Sequence, residues 1–180
     1  MTFSKKARAV FLDRDGVLNA AVVRDGKPYP PASVAAMEIL PGVREATDRL
    51  HAAGFVLVVV TNQPDVARGT QSAVEVEAIH AKLRAELPAL DAVYSCMHDD
   101  ADHCACRKPK PGMIVTAATD MGISLTESFM VGDRWRDIDA GLAAGCRTVF
   151  IDRDYRERKP ETAIHVGDLP EAAAWILEQP

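Results

Sequence analysis

Short apolar runs alternate along the chain with longer segments whose apolar residues recur at helical spacing. Ala9-Val10-Phe11-Leu12 reads as a buried strand ending at Asp13. Pro41-Gly42 opens a helix carrying Val43, Ala46, Leu50 and Ala53 on one face, with Gly54 placed to close it. Phe55-Val56-Leu57-Val58-Val59-Val60 is apolar on both faces, the pattern of a strand central in a parallel sheet. Ser72 followed by Glu75 is a capping box for a helix running to about Leu87. Ala92-Val93-Tyr94 is a short strand, Pro111-Gly112 opens a helix ending at Met121-Gly122, and Ser128-Phe129-Met130-Val131 is a strand ending at Gly132-Asp133. A helix through Ala143, the strand Thr148-Val149-Phe150-Ile151, a short strand near Ile164-His165-Val166 and a terminal helix with Trp175 and Ile176 complete the pattern.

Strand and helix alternating in this way predict an α/β fold, a Rossmann-like three-layer sandwich around a mostly parallel central sheet. No repeat, low-complexity tract or Gly/Ser linker divides the chain, so residues 1–180 are expected to form one domain. In such sheets ligands bind beyond the carboxyl ends of the strands. The predicted strand ends place Asp13, Asp15, Thr61, Asn62 and Asp133 on that rim.

Charge narrows the partners. A formal net charge of −5 and a pI near 5.5 argue against a nucleic-acid surface, while local Lys and Arg leave room for a small anionic ligand. The longest apolar run, Phe55 to Val60, is far short of the roughly 20 residues that span a bilayer. Met1-Thr2-Phe3-Ser4-Lys5-Lys6 leads straight into a strand pattern without a signal-peptide core, so a cytoplasmic protein with no membrane partner is expected. A monomer is expected as well. In that reducing compartment the four cysteines favour metal binding over disulfides.

Asp13-Arg14-Asp15-Gly16 follows an apolar strand directly. A carboxylate there serves as a nucleophile toward phosphate only if a cation balances its charge, and Mg²⁺ bridges carboxylate and phosphate oxygens in this way. An acid two residues further on can protonate a leaving group and later deprotonate water. Alone, a DxD pair is as compatible with a solvated loop. Thr61-Asn62 adds a hydroxyl and an amide, Arg107-Lys108-Pro109 adds positive charge, and Val131-Gly132-Asp133-Arg134 adds another strand-end acid. Together these segments resemble the four motifs of the haloacid dehalogenase (HAD) superfamily of phosphotransferases, in order from Phe11 to about Gly145. The resemblance implies Asp13 as nucleophile and magnesium ligand, and Asp15 as general acid/base with its backbone carbonyl on the metal. It also implies Thr61 and Asn62 on the phosphoryl group, Lys108 neutralising it, Asp133 on magnesium and Asp137 supporting. Val17 stands where the superfamily usually has Thr.

Cys96-Met97-His98 and Cys104-Ala105-Cys106 supply three thiolates and an imidazole, a complete tetrahedral set for a structural Zn²⁺ in a loop of about residues 96–106. His103 is a competing ligand, unliganded surface thiols are the alternative, and Cys146 reads as a small core residue. This loop, joined to Arg107-Lys108-Pro109, resembles the branch of D-glycero-D-manno-heptose 1,7-bisphosphate phosphatases and related histidinol-phosphate phosphatases. The resemblance implies a phosphorylated-sugar substrate, with Gln63, Arg107 and Arg134 as substrate contacts. Pro64-Asp65, after Thr61-Asn62-Gln63, and the loop from Asn19 to Pro31 depart from that branch. Neither the stretch Asn19–Pro41 nor Pro64–Cys106 has room for a cap domain, so an open site bordered by loops is expected, and Asp99-Asp100-Ala101-Asp102 reads as a solvated loop. Tyr29 and Trp135 are candidates for the rim, with packing at a helix start favoured for Trp135. Histidinol phosphate is the competing substrate; a polynucleotide 3′-phosphatase and a non-catalytic zinc module are weaker alternatives.

Overall fold

A computed structural model describes residues 6–180, so the first five residues, Met1 to Lys5, on which part of the signal-peptide expectation rests, lie outside the described residues. In chain order the elements are β1 (Ala9–Leu12), β2 (Val22–Arg24), β3 (Lys27–Tyr29), α1 (Val43–Ala52), β4 (Val56–Asn62), α2 (Ala73–Glu86) and β5 (Ala92–Cys96). There follow α3 (Gly112–Met121), β6 (Phe129–Gly132), α4 (Trp135–Ala144), β7 (Arg147–Ile151), β8 (Ile164–Val166) and α5 (Leu169–Leu177). Six of the strands form one parallel sheet in the order β5-β4-β1-β6-β7-β8.

Side chains alternate across the sheet because successive strand residues point to opposite faces. Val10, Leu12, Leu57, Val59 and Val131 pack with Leu50 of α1, Leu83 of α2 and Ile176 of α5. Phe11, Val58, Val60 and Met130 pack on the other face with Ile114 of α3 and Ala140 of α4. This is the three-layer sandwich the pattern predicted. The helices start where the polar signals lie: the Ser72 hydroxyl accepts from Glu75 N, and Asp168 caps α5 in the same way.

Chain direction positions the site. From β1 the sheet grows to β4 on one side and to β6 on the other, so the carboxyl end of β1 opens between them. Asp13, Thr61-Asn62 and Gly132-Asp133 therefore leave the sheet side by side.

Three segments differ from the sequence expectation. The stretch after Asn19 contains an antiparallel hairpin, β2–β3, turned by Asp25 and Gly26, both with positive φ (51° and 74°). Strand β5 runs two residues beyond Tyr94, because Ser95 and Cys96 pair with Thr61 and Asn62 of the long β4. Asp100–Asp102 form a 3₁₀ turn capped by Asp99, solvent-exposed as expected but ordered by its own hydrogen bonds. Among the described residues no helix is long and apolar enough to cross a membrane.

Candidate active site

Asp13, at the end of β1, is almost fully buried and faces the ammonium of Lys108. The three protons of that ammonium have three acceptors: Asp13 Oδ1 at 2.8 Å, Val60 O at 2.7 Å and Asp137 Oδ1 at 2.6 Å. Burial pulls the Lys108 pKa down, and the charges of Asp13 and Asp137 outweigh it, so the net shift is upward. Asn62 sets the lysine's position: its amide donates to Lys108 O and accepts from Lys108 N, at 3.0 and 3.1 Å. Asp137 is placed by the start of α4, where its other oxygen accepts from Arg134 N at 3.0 Å.

Asp133 lies one residue past β6 and is 1% exposed. Its Oδ2 accepts from the Tyr155 hydroxyl at 2.8 Å, while Oδ1 is buried with no hydrogen-bond partner. Asp13, Asp133 and Asp137 each bring a carboxylate oxygen within 4.8 Å of the others. So many acids in so little water are hard to ionise. Burial first, then the neighbouring acids, raise Asp133 well above the carboxylate range. Burial first, then Asp137, lift Asp13 to about 6 against the pull of Lys108. An orphaned buried oxygen within a cluster of acids is the donor set a small divalent cation fits.

Asp15 is held by four N–H donors. Arg14, wholly buried, grips both oxygens at 3.2 and 3.0 Å, and Asn19 and Gln63 each donate at 2.9 Å. Gln63, expected at the substrate, is wholly buried and gives its amide to Asp15 and to Thr61 Oγ1, so it orients these two groups from behind the cavity.

A cavity of about 290 Å³ opens over these residues, lined by Asp13, Asp15, Thr61, Asn62, Lys108 and Asp137 at its floor. Its rim carries Lys27, Arg68, Arg107, Arg134 and Arg136 against Asp65 and Asp100. Acids order several of these cations. Arg68 pairs with Asp99 at 2.7 Å, Arg107 with Asp100 at 2.8 Å, Arg136 with the same Asp100 at 3.2 Å, and Arg134 with Glu157. The Asp99-Asp100 turn thus ties the rim together. Tyr29 lines the cavity, whereas Trp135 lies outside it, with the guanidinium groups of Arg136 and Arg158 4.8 and 4.5 Å from its ring.

The cysteine loop gathers as the spacing predicted. Sulfur-to-sulfur distances among Cys96, Cys104 and Cys106 are 3.0–3.6 Å, and His98 Nδ1 lies 3.3 Å from Cys106 and 3.6 Å from Cys96. A tetrahedron with 2.3 Å Zn–S bonds has edges of about 3.8 Å, so the four donors suit zinc. His103 is outside this cluster. Cys146 is a buried core residue whose thiol burial pushes up to about 12.

The segment after β7 gave no sequence signal beyond its place at a strand's carboxyl end, yet it closes the site. Arg153 donates to Gly16 O at 2.9 Å, Tyr155 to Asp133, and Arg156 N to Gly26 O at 2.9 Å, while Glu157 pairs with Arg134.

Comparison with known proteins agrees with this geometry. Residues 105–173 match the HAD-hydrolase-like family model. The D-glycero-β-D-manno-heptose-1,7-bisphosphate 7-phosphatase of Salmonella typhi is 35% identical over 185 residues, covering 97% of this chain and 92% of the relative. The chain belongs to the heptose bisphosphate phosphatase family of HAD-like hydrolases. A second family member, from Thermosynechococcus vestitus, is also 35% identical and covers 93% of this chain and 94% of its own. The crystal structure of the D,D-heptose 1,7-bisphosphate phosphatase from B. bronchiseptica, complexed with magnesium and phosphate, superimposes with a TM-score of 0.84. That family member is 33% identical, and the match covers 96% of this chain and 99% of that one.

Proposed function

We propose that the chain is a magnesium-dependent phosphatase that removes the 7-phosphate of D-glycero-D-manno-heptose 1,7-bisphosphate through an aspartyl-phosphate on Asp13. One observation carries the mechanism: Asp13 lies at the cavity floor between a buried ammonium and a carboxylate with an orphaned oxygen. Asp13, Asp133 and the backbone carbonyl of Asp15 would hold Mg²⁺, with Asp137 supporting. When bound, the ion supplies the positive charge that lets a carboxylate and a phosphate share the site.

The chain's own groups then have distinct tasks. A carboxylate oxygen of Asp13 bonds to phosphorus as the ester P–O bond breaks, and Asp15 gives its proton to the departing sugar oxygen. Water next attacks the phosphoryl group, Asp15 takes its proton, and Asp13 is released with inorganic phosphate. The four N–H groups that donate to Asp15 fix the direction of its carboxylate at the cavity. Thr61, Asn62 and Lys108 line the cavity together with Asp13 and would hold the phosphoryl group. A structural Zn²⁺ on Cys96, His98, Cys104 and Cys106 would hold the loop leading into Arg107 and Lys108. A single-domain monomer in the cytoplasm is the expected form of the enzyme.

The cation-rich rim favours a substrate with a second anionic group, and so the bisphosphate over the cationic histidinol phosphate. Steady-state phosphate release from both compounds with Mg²⁺ tests this. The bisphosphate is expected to have the higher kcat/KM, and Asp13→Asn to be inactive. A preference for histidinol phosphate would overturn the substrate, and an active Asp13→Asn would overturn the mechanism.

A further inference from the structure

A carboxylate has two equivalent oxygens, and a metal site needs one of them presented in a fixed direction. At Asp133 the two are made unequal. Oδ2 accepts from the Tyr155 hydroxyl at 2.8 Å, and Oδ1 is buried without a partner. A hydrogen bond from a hydroxyl to a charged acceptor is about twice as strong as a neutral one, so this contact holds the rotamer hardest in the ionised form that a metal ion would bind. The space around it is tight as well. A Cβ built on Gly16 would sit 1.8 Å from Asp133 Oδ2 and 2.8 Å from the Tyr155 oxygen, so the glycine lets the loop after β1 lie close against both groups.

Tyr155 is itself held from both sides. Arg153 is tied to Gly16 O and Arg156 N to Gly26 O, so the phenol is delivered on a segment pinned at two points on the loop and hairpin that follow β1. With the magnesium site proposed above as premise, we propose that Tyr155 is a positioning residue that occupies Asp133 Oδ2 and so reserves Oδ1 for the metal. It is not among the residues that line the cavity. Its contribution is to metal affinity, exerted through Asp133.

Calorimetric titration of Mg²⁺ into the purified full chain tests this without reference to turnover. Tyr155→Phe removes only the hydroxyl and is expected to raise the Mg²⁺ Kd about 10-fold or more, the usual effect of losing a metal ligand's outer hydrogen-bond partner. Arg156→Ala, which alters the segment without touching Asp133, is expected to stay within about twofold of wild type. Replacement of Tyr155 by 4-aminophenylalanine keeps the ring and an N–H donor, and should retain the wild-type Kd within about threefold. An unchanged Kd in Tyr155→Phe, equal weakening in Arg156→Ala, or failure of the amino analogue to retain binding would each overturn the role of Tyr155. Wild type that binds no Mg²⁺ would overturn the metal site itself. The last two tests decide even if Tyr155→Phe does not fold.

Discussion

Replacing Lys108 by Met exposes how the acidic cluster is kept together. The wild-type ammonium is 2% exposed and has three acceptors at 2.6–2.8 Å, two of them the carboxylates of Asp13 and Asp137. Methionine fills nearly the same volume, so the change removes charge and hydrogen bonds with little cavity. Breaking a buried pair in this way costs about 3–5 kcal/mol, because the partners are left charged and unpaired. In a chain of this size each kcal/mol moves Tm by about 2–4 °C, so a fall of roughly 6–20 °C is expected. The pH dependence has a definite sign. Asp13 is raised to about 6 in the folded state even with Lys108 pulling it down. Without the lysine its pKa rises further. A carboxyl raised by folding adds stability at low pH and loses it as pH rises through the folded pKa. The variant therefore recovers more stability than wild type between pH 7.5 and 5.5, and its deficit narrows. Calorimetric Tm values at both pH values, in EDTA, check this. A loss under about 2 °C, or a deficit equal at both pH values, would refute the account of Lys108 as the cluster's counter-ion.

Gly16→Ala places a Cβ 1.8 Å from Asp133 Oδ2 at a φ of +84°, where the left-handed backbone alone costs about 1–2 kcal/mol. Turnover is expected to collapse and urea unfolding to shift by about 3 kcal/mol or more, with overpacking included; full activity would contradict the contact. Cys104→Ser is expected to lower zinc content, measured by mass spectrometry, and to reduce Tm and turnover together because Arg107 and Lys108 follow the loop directly; zinc content equal to wild type would remove the site. His80 is buried, and burial first, then Arg14, lowers its pKa to about 4. A pKa lowered by folding gives stability that is full above about 6.5 and lost as pH falls toward 4, at most about 3 kcal/mol here. Urea unfolding of wild type and His80→Leu from pH 7.5 to 4.5 should show the wild type losing ground on the acid side. A constant difference would refute this.

Local chemistry is what the sequence carried on its own. Ala9–Leu12 and Phe55–Val60 are apolar runs that cannot be exposed, so each becomes an inner strand, and the polar residue after each must emerge at its end. That is why Asp13, Thr61 and Asp133 could be placed on one rim before any coordinates, and why two short Cys/His pairs could be joined. The hairpin was also written locally, in Asp25-Gly26 between Val22-Val23 and Pro28-Tyr29, a two-residue turn signal that the loop assignment passed over. Other features have no local cause. Gln63 turns inward to Asp15, Asp99 and Asp100 bind three arginines, and Tyr155 reaches Asp133 from 22 positions away. Each depends on which strand lies beside which, because a hydrogen bond about 3 Å long is decided by three-dimensional distance. Sequence separation says nothing about that distance until the sheet order brings the segments together.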